Sequence, residues 1–277
     1  MASYKRILVA LDPEAPAEAL IRCGVELAQA DQGTLYWFSC AHASSEELAA
    51  YASAQDAKRQ LLGVARARLS GWMAQAREAG VAIELEVYWN DDWPQSAVHA
   101  AARRGADLLL CGLPKEDAAN ARLTARERTL LRRSPCPVLV VREGREWAGH
   151  TLLLAVDLGA DDPAHARLNT AVVEHGKRLA EALGMQPVLV AATGRVLGTG
   201  AREALVSEAA QRFSLEPTQV RLGPGDALGV LSEAVDALNA PVVVLGTVAR
   251  RGLAATVLGN TAEALLKGLK VDLLVVN

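Results

Sequence analysis

The feature that most constrains this chain is a set of apolar strand-like runs that occurs twice at domain spacing. Ile7-Leu8-Val9-Ala10-Leu11-Asp12 returns as Leu152-Leu153-Leu154-Ala155-Val156-Asp157, 145 positions on from Asp12 to Asp157. Leu108-Leu109-Leu110-Cys111-Gly112 returns as Val242-Val243-Val244-Leu245-Gly246, 134 positions on from Gly112 to Gly246. Val138-Leu139-Val140-Val141 returns as Leu273-Leu274-Val275-Val276, 135 positions on. Landmarks that recur in one order at this spacing mark a tandem duplication of a whole domain rather than a solenoid. The 277 residues suit two domains of ~100–200 residues each. Arg142 to Gly149 breaks both helical and strand periodicity, so the expected division is 1–142, a linker at 143–149, and 150–277.

Between the apolar runs lie segments with helical spacing. The first half predicts strands at 6–11, 33–38, 81–88, 107–111 and 138–141, with helices over 14–30, 45–79, up to Arg104 and up to Arg133. The 45–79 helix is longer than such a fold requires, and the expected break is at Gly63 or Ser70-Gly71. The second half predicts strands at 152–157, 187–191, 219–222, 242–245 and 273–276, with helices over 163–183, 202–213, 226–238 and after Gly259. Each half therefore reads β-α-β-α-β-α-β-α-β. That alternation forces parallel pairing with helices on both faces: two doubly wound, Rossmann-like α/β domains of five strands each. Ligands of such sheets settle at the carboxyl ends of the strands where strand order reverses. Asp12 with Gly112, and Asp157 with Gly246, are placed to flank that point. In the second half the run to Gly246 leads through Thr247 towards Gly259-Asn260-Thr261, a strand, a glycine-bearing loop and a helix start. Such a terminus presents free backbone N–H groups to an anion.

Composition removes other classes. A net charge of −3 with mixed signs leaves no basic footprint for nucleic acid. No apolar run approaches the ~18 residues of a membrane span, and the first residues lead straight into a strand, so the expected location is the cytoplasm. Cys23, Cys40, Cys111 and Cys136 form no CxxC and read as small buried apolar residues of a reducing compartment. Asp161-Asp162-Pro163 with His165 reads as a helix cap rather than a metal cluster. Ser207, Ser232 and Thr193 have no histidine at a motif spacing, which leaves nucleophilic catalysis without support.

The stretches ending at Asp157, Leu245-Gly246-Thr247-Val248 with Arg250-Arg251-Gly252, Gly259-Asn260-Thr261-Ala262-Glu263 and Asp272-Leu273-Leu274-Val275-Val276 resemble the universal stress protein family. The double copy resembles its tandem-domain members. ATP-binding members carry Gly-x2-Gly-x9-Gly-Ser/Thr here, with an adenine-contacting acid after the first strand. The resemblance thus assigns a small-molecule site to Ala155, Val156, Asp157, Leu245, Gly246, Gly252, Gly259, Asn260 and Thr261, with ATP as the candidate cofactor. Two departures weaken it: Ala249 stands in for the second glycine, and Asn260 for the Ser/Thr. A methyl at Ala249 opposes positive φ by ~1 kcal/mol or more. Asn260 caps the helix with Glu263 and so leaves fewer free donors. In the first half Pro114 removes a donor, and Thr124 with Glu127 forms a complete capping box, so the phosphate site there is expected to be lost.

The resulting expectation is a non-catalytic stress-response or regulatory protein with at most weak nucleotide binding in its second half. The alternatives are an ATP-binding switch with slow hydrolysis or self-phosphorylation, and a crevice given over to another small or apolar ligand. Family members pair through their last strands. The resemblance therefore implies pairing through Val138–Val141 and Val271–Val276 between the halves, between chains in a homodimer, or both.

Overall fold

The computed structural model describes residues 3–12, 17–113, 125–142, 144, 146–160, 162–247 and 271–277. From Tyr4 onward they divide into two compact units that part at Gly144.

The first unit runs β1 (Arg6–Ala10), α1 (Glu18–Asp31), β2 (Thr34–Ala41), α2 (Ser45–Leu48), α3 (Ala54–Glu78), β3 (Ala82–Trp89), α4 (Trp93–Arg104), β4 (Leu108–Leu113), α5 (Ala125–Arg133) and β5 (Val138–Arg142). Its strands lie in the order β3-β2-β1-β4-β5, all parallel. The central strands β1 and β4 are apolar without alternation because helices cover both their faces. Ile7, Leu8, Val9 and Leu108 to Leu110 are accordingly buried. Edge strand β3 alternates instead, with Glu84 and Glu86 meeting Arg104 and Arg103 of α4. Helix α4 is capped by Asp92, which accepts the Gln95 N–H at 3.1 Å, with Pro94 in the first turn.

The expected long helix over 45–79 is in fact two. It breaks between Leu48 and Ala54, not at a glycine. Ser53 supplies the reason: its hydroxyl accepts the Asp56 N–H at 3.1 Å and starts α3 afresh. Gly63 and Gly71 stay inside α3, where a helical glycine costs only ~1 kcal/mol.

The second unit runs β6 (Thr151–Ala155), α6 (Pro163–Ala182), β7 (Gln186–Ala192), α7 (Thr199–Phe213), a 3-10 turn (Pro217–Gln219), β8 (Val220–Gly223), α8 (Ala227–Leu238), β9 (Val242–Gly246) and β10 (Asp272–Val276). Its order, β10-β9-β6-β7-β8, repeats that of the first unit, again all parallel. The doubly wound α/β reading thus holds in both halves. The helix expected after Gly259 lies outside the described residues. Helix α6 packs so closely on the sheet that a Cβ on Gly176 would overlap Leu154 Cδ2 and lie 3.3 Å from Val244 Cγ2.

Part of the predicted linker packs into the second unit. Trp147 is buried, and its indole N–H donates to the buried Asp272 carboxylate at 2.7 Å. The Gly149 N–H donates to the Gly184 carbonyl at 2.8 Å. Among the described residues no helix is long and apolar enough to cross a membrane.

Candidate functional site

The crevice in the second unit follows from where the backbone hydrogen bonds go. Strands β6 and β9 are neighbours, with Ala155 opposite Leu245. Beyond that pair they part. The Val156 N–H turns to Val190 of β7 at 3.2 Å, whereas the Thr247 N–H turns to Val276 of β10 at 2.8 Å. The Thr247 hydroxyl adds a bond to Asn277 Oδ1 at 2.9 Å. Two neighbouring strands whose continuations are drawn to opposite sides leave a gap between their ends, which is the topological switch point.

Asp157 stands on one lip. The side-chain amide of buried Asn169 accepts its N–H at 3.1 Å and donates to its carbonyl at 2.6 Å. Its own Oδ1 accepts the Gly159 N–H at 2.9 Å, and the side chain is exposed. Gly246 stands on the other lip beneath Leu168. A Cβ built there would lie 2.6 and 2.7 Å from Leu168 Cδ2 and Cδ1, and closer still to Cγ. Leu168 and Asn169 belong to the start of α6. Asp162 caps that helix by accepting the Ala164 and His165 N–H groups at 2.9 and 3.1 Å, and it also pairs with the His165 ring. Those bonds, the His165 backbone first and its ring second, hold the Asp162 carboxyl below its usual pKa. The Asp162-Pro163 pair is therefore a cap, as its sequence suggests. Among the described residues no group of His, Cys, Asp or Glu is placed to hold a metal ion.

Helix α6 reaches the crevice because it is longer than its counterpart. Gly24 of α1 packs on Val9 and Leu110, and Gly176 of α6 packs on the corresponding Leu154 and Val244. Gly24 follows Ala10 by 14 residues, but Gly176 follows Ala155 by 21. The extra seven residues are two helical turns.

The first unit makes the same gap: the Leu11 N–H bonds the Phe38 carbonyl of β2 at 2.8 Å. Its lips are furnished differently. Arg126, in the first turn of α5, reaches the Asp12 carboxylate at 3.0 Å. Among the described residues only Leu20 Cδ2, at 3.7 Å, lies near a Cβ built on Gly112.

Of the residues singled out by sequence, Val156 and Leu245 are buried, Ala155 and Gly246 half-buried, and Asp157 exposed; all five border the second-unit crevice. Gly252, Gly259, Asn260 and Thr261 lie outside the described residues, as do Ala249, Arg250 and Arg251. Sequence reasoning missed Leu168 and Asn169. Asn169 did carry a signal, because it falls in register with the buried Val172, Val173 and Gly176 and so puts an amide on a core face.

A hollow of about 300 Å³ between α6 and α7 offers less. Its Lys177 amine is spent on the Phe213 and Ser214 carbonyls at 2.6 and 2.7 Å, where it caps α7, and burial lowers its pKa. Arg178 pairs with Glu181 at 2.7 Å, and Arg212 lies over the Phe213 ring.

Two units of this strand order, each gaping between its first and fourth strands, define a tandem doubly wound α/β fold. Residues 3–142 and 150–277 each match the universal stress protein family, and the chain belongs to it. It is 29% identical over 299 residues to universal stress protein E of Escherichia coli strain K12, covering 100% of this chain and 95% of that protein. It is 26% identical over 302 residues to universal stress protein E of Photorhabdus laumondii, covering 100% and 96%. A crystal structure of a functionally unknown protein from Pseudomonas aeruginosa PAO1 is similar at 26% identity and a TM-score of 0.79, covering 99% of this chain and 93% of that one. A universal stress protein from Archaeoglobus fulgidus, with a TM-score of 0.73 over 98% of both chains but only 12% identity, shares the fold.

Proposed function

We propose that this universal stress protein is non-catalytic, that its second half binds a nucleotide weakly between Asp157 and Gly246, and that its first half does not. The observation that carries this is the contrast between the two aspartates. Asp12 is engaged by the Arg126 guanidinium, whereas Asp157 presents an exposed carboxylate with Oδ2 unengaged among the described residues. An ionised carboxylate is an acceptor only and suits the amino group of a nucleobase. Ala155, Val156 and Leu245 supply apolar surface beside it. ATP is the candidate ligand, held weakly because Ala249 and Asn260 stand where the family's phosphate loop has Gly and Ser/Thr. Two universal stress protein structures, one in complex with cAMP and one from Archaeoglobus fulgidus in complex with dAMP, hold nucleotides. At TM-scores of 0.35 and 0.34 they lend this chain no weight, and the reading rests on its own crevice.

Isothermal titration of the full chain with ATP and magnesium tests it. The expected Kd is on the order of 100 µM, about −5.5 kcal/mol, with binding lost in Asp157→Ala and no phosphate released. Low-micromolar binding would remove the weak-affinity clause. Unchanged binding in Asp157→Ala would remove the site, and steady phosphate release would favour an ATP-hydrolysing switch. Gly246 variants are unsuitable for this test, because any side chain there strikes Leu168.

A further inference from the structure

We propose that Leu168 is a built-in occupant of the second-half crevice and sets how much room a ligand has there. Its isobutyl group lies against the last residue of β9, where even a methyl on Gly246 would come within 2.6 and 2.7 Å of Cδ2 and Cδ1. Leu168 is only half-buried, so it walls the mouth rather than the core. Among the described residues of the first half nothing comes closer than 3.7 Å to a Cβ on Gly112. The difference traces to the two extra turns of α6.

Those turns are fixed. Asn169, the next residue, is buried and bonded to both backbone polar groups of Asp157 on the opposite lip. One helix start therefore spans both sides of the gap, and the backbone that carries Leu168 cannot withdraw without breaking two hydrogen bonds. Gly246 consequently serves the approach of a side chain, not the approach of a phosphate. A ligand passing this point meets a branched apolar wall, which suits the flat face of a base or the carbon face of a sugar. Charged oxygens have to lie elsewhere. This last step rests on the nucleotide reading above; the occupancy of the space does not.

Two measurements separate the two. The first is a stability cycle in the absence of ligand. Gly246→Ala is expected to lower Tm by several degrees in the wild-type background and by far less in Leu168→Ala, because the methyl then has room. An equal penalty in both backgrounds overturns the proposal whatever binds. The second is titration of ATP and AMP into wild type, Leu168→Ala and Leu168→Trp, with Tm recorded for each. Enlarging or filling the wall is expected to shift Kd by about tenfold in opposite directions. Binding that is equal in wild type and both variants overturns the size-setting role while leaving the nucleotide reading intact. No binding by the wild type removes that reading, and then gain of binding in Leu168→Ala together with a coupled cycle supports Leu168 as the occupant. No binding by any variant overturns the size-setting role as well.

Discussion

The side chain of Asn169 grips the backbone of Asp157 from both sides, accepting its N–H at 3.1 Å and donating to its carbonyl at 2.6 Å. The amide thus replaces the ladder bonds that β6 gives up as it ends, and it fixes the backbone of Asp157, the exposed acid that follows the strand. Asn169→Ala removes both bonds and leaves two backbone groups to find water. The expected loss is about 2 kcal/mol in urea unfolding. Wild-type stability in that variant would show the grip to be incidental.

Two glycines at corresponding places in the halves are expected to respond differently to a methyl. Both lie in helices, where alanine is intrinsically better by ~1 kcal/mol. At Gly24 the nearest atom to a built Cβ is Leu110 Cδ1 at 3.3 Å, so Gly24→Ala is expected to be close to neutral. At Gly176 the methyl overlaps a fully buried leucine, and Gly176→Ala is expected to cost about 1–3 kcal/mol. Thermal unfolding of the pair checks the order; equal effects would contradict it.

Glu86 gives the first half a pH-dependent contribution. Burial alone would raise its pKa, but hydrogen bonds from Tyr88, Arg103 and Arg104 together with the Arg103 charge outweigh burial and hold it below the usual 4.5. A carboxyl depressed in the folded state is protonated more readily in the unfolded chain. Its stabilisation is therefore complete above the unfolded pKa and fades as pH falls through the folded one. Between pH 6 and pH 3, wild type is expected to lose more stability than Glu86→Gln, by up to about 1 kcal/mol given the partial exposure of the pair. Parallel pH profiles would remove Glu86 from the account.

The thiols are expected to be inert in the folded protein. All four cysteines are buried, and none forms a disulfide. Burial pushes Cys40 and Cys136 up to about 11, and Cys111 higher. The thiolate is the reacting species, so Ellman's reagent should titrate none of them quickly before denaturant is added and all four after. Rapid reaction of one thiol in the native protein would identify a local opening.

What the sequence made legible was what depends on near neighbours or on burial of whole strands. The strand–helix alternation of the described residues, the cap at Asp162 and the strand ends that carry Asp157 and Gly246 all belong to that class. The break before Ala54 was hidden because Tyr51-Ala52-Ser53 holds no glycine or proline, and a serine cap reads like any surface serine. The Arg126–Asp12 pair joins residues 114 positions apart, beyond the reach of any spacing rule. A glycine closing a buried strand looks the same whether a phosphate or a leucine lies above it, and only the seven-residue surplus in α6 distinguishes them.

The indole of Trp147 bears on how the halves can be taken apart. Repeat matching alone would begin a second-half fragment at residue 150, and that fragment would retain every strand of its sheet. It would also strip a donor from Asp272, a carboxylate that is 1% exposed at the root of the final strand. An excision that starts ahead of Trp147 keeps the carboxylate satisfied, so the seam between the duplicated segments belongs, in energetic terms, to the later one.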